Sequence, residues 1–588
     1  MPALTQPLTS SGLDNLVKVA LGQAPAEVVI RGARLVNVFS ESVEEPGAVA
    51  LAQGRVASLG PELPGWFGPR TEVIEAGGQY LAPGLMDCHT HLDSIYRLSA
   101  YTPYALARGN TAAVSETAMM ANAWGVAGVE AFLAEAEIQP MRIFFTVPPE
   151  VPPFPQLESG NDMTLEGFKD LLQRPECLGV GEAYWVAVID GERRVHDRLA
   201  VALALGKRLE GHGAGARGEK LMAYAASGIT SCHEAVTGAD ALERLRLGMA
   251  VQVREGFVRQ EMPEVVPALK DLSDTRLVML CTDEAPMDLL QDQGAMNVLV
   301  RRAVEMGVAP ARAVAWCSLN PARYFGLNRL GAVAPGYLAD LVLVSDLEKF
   351  QVEAVWVQGK LVAQGGRLTI SMPDFQYPAE TYNTMAQSPP SGEDFRLPAS
   401  GSVAEVRLCQ LDGDTIVREG RARLPVKQGA VQADPAQDVL KLAHFSRHPG
   451  QRTGAVGFVR GWGLKQGALA TTLMWDKASL IVWGASDAEM SLAAARVAEL
   501  GGGIVVAAGE RVLAEHPLPI CGVTSEQPLE VIVEEMEALR QALRGLGCGL
   551  PRPLLTAQTL CFTGLPFLRL TDKGLVDVRR RRFVEVVL

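Results

Sequence analysis

Histidine is scarce in this chain, and paired cysteines are absent. The 588 residues include 8 histidines and 9 cysteines, and no two cysteines form a C-x-x-C motif. An odd number of scattered cysteines argues against a disulfide framework and favours reduced thiols. Residues 1–16 contain no apolar run of the kind that a signal peptide needs. We therefore predict a cytoplasmic protein.

Long apolar runs and a basic excess are also lacking. The sequence has no stretch of about 18 apolar residues, so we predict no membrane span. Acidic residues outnumber basic ones and give a net charge of −13, which argues against nucleic acid or an anionic membrane as a partner. The one basic run, 579–582, is flanked by apolar residues, as in a solvated strand or turn. A small-molecule substrate is the expected partner, and a homo-oligomer is compatible with this sequence.

The length and the 48% apolar content indicate several globular domains. Two stretches of short β-rich runs, broken by Gly and Pro, flank a long middle section and predict one composite β module. A segment rich in Pro, Ser and Gly follows and is typical of a linker. The predicted parts are a composite β module (1–80 plus 330–370), a barrel (81–329), a linker (371–403) and a C-terminal α/β domain (404–588).

The middle section contains eight short runs with strand character, whose starts are 21 to 35 residues apart. The stretches between them often favour helices. This regular alternation predicts an α/β fold, a (β/α)8 barrel of TIM type. The runs are LMDCH from 85, TAAVSE from 111, RIFFTV from 142, CLGVGEA from 177, KRLEGH from 207, ITSCHE from 229, AVQVREG from 250 and LVMLCTD from 277.

Most of these runs end in residues that can bind a metal. The first ends in His89, and His91 lies two positions further, so that both imidazoles point to the same face of the strand. Because the carboxyl ends of barrel strands converge on one face, the other polar residues are expected to meet them there. The full candidate set is His89, His91, Glu182, His212, His233 and Asp283.

A single histidine on a strand is more often a packed core residue than a ligand. Here, however, four histidines and two carboxylates fall at successive strand ends, which is unlikely by chance. Burying four imidazoles and two carboxylates without a metal would leave polar groups unpaired, at a cost of kilocalories each. We therefore predict a metal site. The histidines outside the pattern, interpreted as structural or surface residues, are His196, His444, His448 and His516.

The ligand types narrow the metal and its chemistry. Imidazole and carboxylate without thiolate favour zinc, manganese or iron. Six ligands are too many for one tetrahedral ion with an open position, so two ions that share Glu182 are expected. Hydroxide held between them would be a nucleophile at neutral pH. Asp283 is then the candidate that accepts the proton of the water.

Several motifs resemble a known family. The run LAPGLMDCHTHLDS (81–94) resembles the entry strand of the amidohydrolase superfamily, and the closer similarity is to the adenine deaminases. The resemblance covers nearly the whole chain, in the order of that family. The further motifs are GVGEAYW (179–185), GHGAG (211–215), SGITSCHEAV (227–236), GMAVQVREG (248–256), CTDE (281–284), GAVAPGYLADLVLV (331–344), PLPICGVTSE (517–526) and LRLTDKGLVDV (568–578).

This resemblance implies a deformed barrel, a β module built from both flanks and a C-terminal domain of the adenine deaminase type. It also implies a binuclear centre, usually manganese or iron, with zinc as an alternative, and all six candidate ligands match the family's positions. In the implied reaction, hydroxide on the metal attacks C6 of adenine, and ammonia leaves to give hypoxanthine. Glu234 or Glu284 is the implied acid toward the ring nitrogen, and the sequence does not choose between them.

The sequence also departs from the family pattern. The family's D-P-H-E-I-A-N is replaced by E-T-A-M-M-A-N at 116–122, and its H-D-S-H-N by W-D-K-A-S at 475–479. After Glu182, the family's Met-Asn becomes Tyr-Trp, and after Asp283 the family's basic residue and His are missing. The changes fall on groups that could surround a substrate rather than on the metal ligands. The candidate substrate-binding residues are Glu116, Tyr184, Trp185 and Arg254.

Three hypotheses follow for the function. The first is an adenine deaminase or a close aminohydrolase. The second is a hydrolase of the same fold that acts on another heterocycle or a cyclic amide, because loss of polar groups around a substrate redirects specificity. The third is a metal-binding scaffold without turnover, and the complete ligand set argues against it.

Overall fold

The computed structural model describes residues 8–161, 163–385, 388–447, 453–477 and 479–588. His448, interpreted above as structural or surface, lies outside these residues. Within them, none of the helices combines the length and apolar character that crossing a membrane requires.

Eight parallel strands surround the centre of the protein, one for each predicted run. Their sequences are apolar nearly throughout; all six residues of RIFFTV (142–147) are buried, as in parallel strands that are covered on both faces. The predicted TIM-like barrel is thus confirmed. The strands are Leu85–His91, Asn110–Glu116, Arg142–Val147, Cys177–Tyr184, Arg208–His212, Ser231–Cys232, Ala250–Arg254 and Val278–Cys281.

The barrel is closed by two junctions between a five-stranded and a three-stranded sheet. At one junction, the backbone N–H of Asp283 donates to the carbonyl of His89 at 3.0 Å, and the N–H of His91 donates to the carbonyl of Asp283 at 3.1 Å. At the other junction, the N–H of Thr230 donates to the carbonyl of Leu209 at 3.0 Å. The first junction therefore lies directly at the predicted ligands.

Helices cover the outside of the barrel. The helix Leu165–Gln173 is an example: the Thr164 side chain caps its N-terminus by accepting from the N–H of Gly167, and its buried face presents Phe168, Leu171 and Leu172 to the strands. The helices of this region are Leu98–Ala107, Ala118–Ile138, Leu165–Gln173, Trp185–Ile189, Arg193–Ala204, Glu219–Ala226, Gly238–Arg246, Met262–Leu269, Met287–Asp292, Met296–Glu305, Pro310–Trp316 and Leu319–Tyr324.

One nine-stranded sheet combines strands from both flanks of the barrel, as the composite β module requires. Tyr80–Pro83 pairs antiparallel with Leu341–Asp346 and joins the two halves, while the domain boundaries themselves stay predictions. The other strands are Val28–Asn37, Ser42–Ala52, Arg55–Gly60, Glu72–Glu75, Gln351–Val357, Lys360–Gln364 and Arg367–Leu368; the helix Ser10–Ala20 and the 3-10 turn Pro64–Trp66 precede or interrupt them.

The C-terminal part is an α/β unit with a nine-stranded sheet and a three-stranded sheet. The larger sheet contains Val403–Asp412, Ile416–Lys427, Ala430–Val431, Val439–Phe445, Gly454–Arg460, Ala468–Thr471, Leu480–Gly484, Gly503–Ala508 and Arg511–Pro517. The smaller contains Leu568–Thr571, Gly574–Asp577 and Arg582–Phe583, and the helices are Asp487–Glu499, Leu529–Gly545 and Pro553–Thr559. Short 3-10 turns lie at Ala379–Asn383, Gly392–Phe395, Pro435–Gln437 and Val578–Arg580.

The C-terminal unit packs against the carboxyl end of the barrel. Its short strand Thr524–Ser525 pairs in parallel with Ile95–Tyr96, which follows the first barrel strand. A fully buried ion pair joins Lys477 to Glu158 at 2.6 Å, and Glu158 also accepts from the hydroxyl of Thr563. Because a buried charge is tolerated only when it is paired, these contacts tie the unit to one position over the barrel.

We predict that the β module is held to the barrel by a buried ion pair. Asp340 accepts from Arg142 Nε at 2.6 Å and from Nη2 at 3.2 Å, and both side chains are 2% exposed. Asp340→Ala removes the buried carboxylate that compensates the Arg142 charge, so we expect a loss of about 3–5 kcal/mol, measured as a lower urea midpoint. Asp197→Ala, which breaks an exposed pair with Arg193, is the control and should cost below about 1 kcal/mol. Equal midpoints for both variants would contradict the prediction.

Candidate metal centre

The first barrel strand brings two imidazoles to its carboxyl end. Nε2 of His89 lies 3.2 Å from Oδ1 of Asp283 and 3.2 Å from Oε1 of Glu182. Nε2 of His91 lies 3.5 Å and 3.6 Å from the same two oxygens. The two-residue spacing therefore places both rings on one face, as expected, and both point at the same pair of carboxylates.

Glu182 lies at the middle of the cluster. Besides its contacts with the first strand, its Oε1 is 3.0 Å from Nε2 of His233, and its Oε2 is 3.4 Å from Nδ1 of His212. One carboxylate thus faces all four predicted imidazole ligands, with its two oxygens on different sides. The structure brings all six candidate ligands together.

The donor atoms form two overlapping groups that are compact enough for a cation. Within each group, the possible ligand atoms lie within 4.8 Å of one another, and His233 belongs to both. One group is His89, Glu182, His233 and Asp283, and the other is His212, His233 and Glu234. Glu234, which was predicted as a catalytic acid, therefore also stands among the potential ligands.

The chemistry of these donors fits a metal ion. Nδ1 of His212 and Nε2 of His233 are buried and make no hydrogen bond, because their contacts with Glu182 lack hydrogen-bond alignment. Buried nitrogens without a partner are costly, and a divalent cation would satisfy both. The donor set of imidazole and carboxylate suits zinc, manganese or iron.

The electrostatics of the cluster are unusual for buried groups. Burial alone would raise the pKa of Glu182, yet the charges of His212 and His233 hold this pKa well below its ordinary range. Burial likewise opposes ionisation of Asp283, but hydrogen bonds with His89 and His91 and the charge of Arg254 keep its pKa well below the usual value. Both carboxylates are therefore ionised at neutral pH and available as ligands.

Arg254 holds two of the acidic groups in place. Its Nη1 donates to Glu234 and, at 3.1 Å, to Oδ2 of Asp283. Its Nε and Nη2 donate to the two oxygens of Glu261, each at 2.9 Å. A planar guanidinium in such a bidentate pair has little rotational freedom. Its hydrogen bond to Oδ2 therefore fixes the orientation of the Asp283 carboxylate. Arg254, predicted to bind substrate, does line the cavity described below.

Asp283 has a backbone conformation that few residues adopt. Its φ is +62°, in the left-handed region that costs a non-glycine residue free energy and often marks a functional site. The two backbone hydrogen bonds to the first strand hold it there. The same residue closes the barrel with its backbone and meets the histidines with its carboxylate.

The remaining predicted residues occupy different positions. Glu284 lines the cavity, and burial raises its pKa to about 8. Glu116 lies outside the cavity lining: its Oε1 is 3.8 Å from Nδ1 of His89 and accepts from the Thr146 hydroxyl, so it backs the first strand. The Tyr184 hydroxyl donates to Asp476. The Trp185 indole donates to the Ala214 carbonyl and likewise stays outside the lining, so that its role in substrate binding stays a prediction.

The three other histidines that the structure describes lie away from the cluster. His196 shares a hydrogen bond with the Val188 carbonyl at 2.8 Å, on a barrel helix. His444 contacts the Leu570 carbonyl, and His516 contacts Glu535, both inside the C-terminal unit. Their contacts agree with a structural interpretation.

A cavity lies over the cluster, and the C-terminal unit forms its opposite wall. The barrel contributes His91, Ser94, Ile95, Met119, Glu182, His212, His233, Glu234, Arg254, Val258, Arg259, Asp283 and Glu284. The C-terminal unit contributes Thr415, Leu473, Trp475, Asp476, Gln558, Phe562 and Leu565. The sequence assigned no role to these seven residues, although W-D-K-A-S at 475–479 was visible as a departure from the family motif.

Asp476 is a carboxylate that the C-terminal unit contributes to the cavity lining. It accepts a hydrogen bond from Tyr184, whose ring meets that of His212 edge-on at 5.1 Å. Burial, with the charge of Glu182, raises the pKa of Asp476 to about 7. The side chain is thus part of the cavity wall opposite the cluster.

Comparison with known proteins agrees with this architecture. The amidohydrolase family profile matches residues 80–362, and the profile of the adenine deaminase C-terminal domain matches residues 414–582. The chain is 37% identical over 582 residues to "Adenine deaminase" of Moorella thermoacetica, with 97% of each chain covered. It is 36% identical over 585 residues to "Adenine deaminase 3" of Rhizobium meliloti, covering 97% of this chain and 98% of that one.

Among solved structures, the β-aspartyl dipeptidase of Fervidobacterium islandicum AW-1 is similar at 17% identity and a TM-score of 0.47. The similarity covers 59% of this chain and 98% of that chain.

We predict that Glu182 is indispensable for metal binding. Glu182→Ala removes the one carboxylate that faces all four imidazoles, so the affinity for Mn²⁺ should fall by more than about tenfold, the loss that even an outer partner of a ligand can cause. Bound metal is measured by mass spectrometry after dialysis against defined free Mn²⁺.

His196→Ala serves as the control, because it removes a histidine that lies outside the cluster. Wild-type metal content in Glu182→Ala, or an equal loss in both variants, would contradict the assignment.

Proposed function

Because the chain belongs to the adenine deaminase family, we propose that it is a metal-dependent hydrolase that converts adenine and water to hypoxanthine and ammonia. The observation that carries the proposal is the convergence of four imidazoles on Glu182, beneath a cavity to which the C-terminal unit contributes a wall.

The residues that would hold the metal are His89, His91, Glu182, His212, His233 and Asp283. A divalent cation bound there lowers the pKa of water, which supplies a nucleophile at neutral pH. We propose that the site holds two metal ions. Manganese or iron is favoured, and zinc is the less favoured alternative. The two oxygens of Glu182 face different histidines, which supports a shared ligand.

Asp283 is placed to move a proton. Its Oδ1 faces His89 and His91, while Arg254 binds Oδ2. The carboxylate is ionised and immobile, so it can take a proton from the attacking water and pass it to the leaving amine. The bond from the water oxygen to C6 forms, the bond from C6 to the exocyclic nitrogen breaks, and ammonia carries one of the two water protons away. The second water proton replaces the proton that the acid gives to the ring nitrogen.

The structure favours Glu284 over Glu234 as the acid toward the ring nitrogen. Glu234 is held by Arg254 and lies near both His212 and His233, so its oxygens are already engaged. Glu284 lines the cavity, and within the described residues no ion pair or side-chain hydrogen bond engages its carboxyl group. A carboxyl group that is free to face the substrate can hold the proton that the ring nitrogen requires.

A second substrate class has one observation in its favour. Met119 and Trp475 line the cavity at positions where the family motifs have Glu and His. Apolar groups in place of polar ones would favour another heterocycle or a cyclic amide, with the same hydrolytic chemistry.

We predict release of ammonia from adenine by the manganese-loaded wild-type enzyme, measured by a coupled ammonia assay. Asp283→Asn should lower kcat at least about a hundredfold because its amide cannot accept the proton, and His91→Ala should also abolish activity. Wild-type rates in metal-loaded Asp283→Asn would contradict the role of Asp283. Turnover of other heterocycles in the absence of adenine turnover would favour the second substrate class.

We further predict that variants of Glu284 and Glu234 differ in the amount of metal that they bind. Glu284→Gln should keep its metal, and its kcat should fall by a factor of about 10²–10⁴, the usual contribution of a general acid. Glu234→Gln should instead lose metal affinity, because Glu234 lies with His212 and His233 in one ligand group. Metal analysis and steady-state kinetics on both variants test this, and an unchanged kcat in Glu284→Gln would refute the assignment.

A further inference from the structure

The wall of the cavity opposite the candidate metal centre includes Trp475, Gln558 and Phe562 from the C-terminal unit. A row of ring contacts leads from the cluster to this wall. His212 meets Tyr184 at 5.1 Å, Tyr184 meets Phe562 at 5.9 Å, and Phe562 meets Trp475 at 5.9 Å between ring centroids. Trp475 is thus the last ring of this row, counted from His212, and its indole is hydrogen-bonded to Gln558.

The amide of Gln558 has one orientation only. Its Oε1 accepts from the indole Nε1 of Trp475 at 3.1 Å. An indole nitrogen can only donate, so the amide oxygen must face the tryptophan, and the NH₂ group must point the other way. Gln558 is 4% exposed and lines the cavity.

The NH₂ group of Gln558 has no other assigned partner. Within the described residues, Nε2 makes no side-chain or backbone hydrogen bond. It is not one of the fully enclosed side-chain atoms that lack a partner, so it keeps some accessible surface. It is therefore an oriented donor that opens into the cavity. Leu473, Phe562 and Leu565 line the same cavity and make its wall partly apolar, and a hydrogen bond is stronger in such surroundings than in water.

We propose that Gln558 is a specificity-determining residue whose Nε2 donates to N3 of the purine ring, with Trp475 as its positioning residue. The inference rests on the proposed function, because it takes C6 to lie over the metal cluster. N3 is then directly across the six-membered ring from C6 and faces the C-terminal wall. An unprotonated ring nitrogen is an acceptor, which matches the donor.

This arrangement gives the C-terminal unit a chemical role. The barrel alone supplies the hydrolytic groups, while a donor from the other unit selects ring systems with an acceptor opposite the reacting carbon. A site that is built to bond one polar atom discriminates against an analogue that lacks this atom.

The test compares adenine with 3-deazaadenine, in which a C–H group replaces N3. We expect the wild-type enzyme to prefer adenine in kcat/KM, and Gln558→Leu, of similar size, to lower this preference roughly tenfold, the equivalent of one hydrogen bond. The loss should appear for adenine and not for 3-deazaadenine. Trp475→Phe keeps an aromatic ring but frees the amide to flip, so its preference should fall in the same direction.

Gln541→Leu, which removes an exposed glutamine of the same unit, is the matched control and should keep the wild-type preference. Absence of adenine turnover by the wild-type enzyme would overturn the proposed function and this inference with it. Adenine turnover with an unchanged preference in both Gln558→Leu and Trp475→Phe would overturn this inference alone.

Discussion

The contact of Glu182 with four imidazoles is the interaction on which the site depends. Three strand ends carry these imidazoles, and each must be placed accurately for its nitrogens to reach the carboxylate. A closed barrel provides this placement because the carboxyl ends of its strands converge on one face. The charges within the cluster explain why so many polar groups can be buried together: histidines, carboxylates and Arg254 compensate one another.

Asp283 links that cluster to the integrity of the fold. Its backbone joins the last strand to the first, its strained φ is held by the same two hydrogen bonds, and its carboxylate is oriented by Arg254. Changes at this residue therefore act on the chemistry and on the closure of the barrel together. This coupling is a physical reason to combine activity measurements with metal analysis when its variants are compared.

The C-terminal unit completes the cavity instead of standing apart from the barrel. It reaches the barrel through the strand pair at Ile95–Tyr96 and through the buried pair of Lys477 and Glu158. These contacts hold Trp475, Asp476 and Gln558 over the metal centre. Under the proposed function, chemistry and selection are divided between two units of one chain, and we expect substitutions in the second unit to alter the substrate without touching the ligands.

Much of this could be predicted from local patterns. The eight strands and the six candidate ligands follow from apolar runs with polar ends, and the two-residue spacing of His89 and His91 determines that both rings share a face. Other features depend on distant residues. Neither the engagement of Glu234 by Arg254, nor the position of Glu116 behind His89, nor the wall formed by Trp475 and Gln558 has a local signal. Periodicity along one strand specifies which way a side chain points, whereas the partner that it meets is decided only when separate segments of the chain pack together.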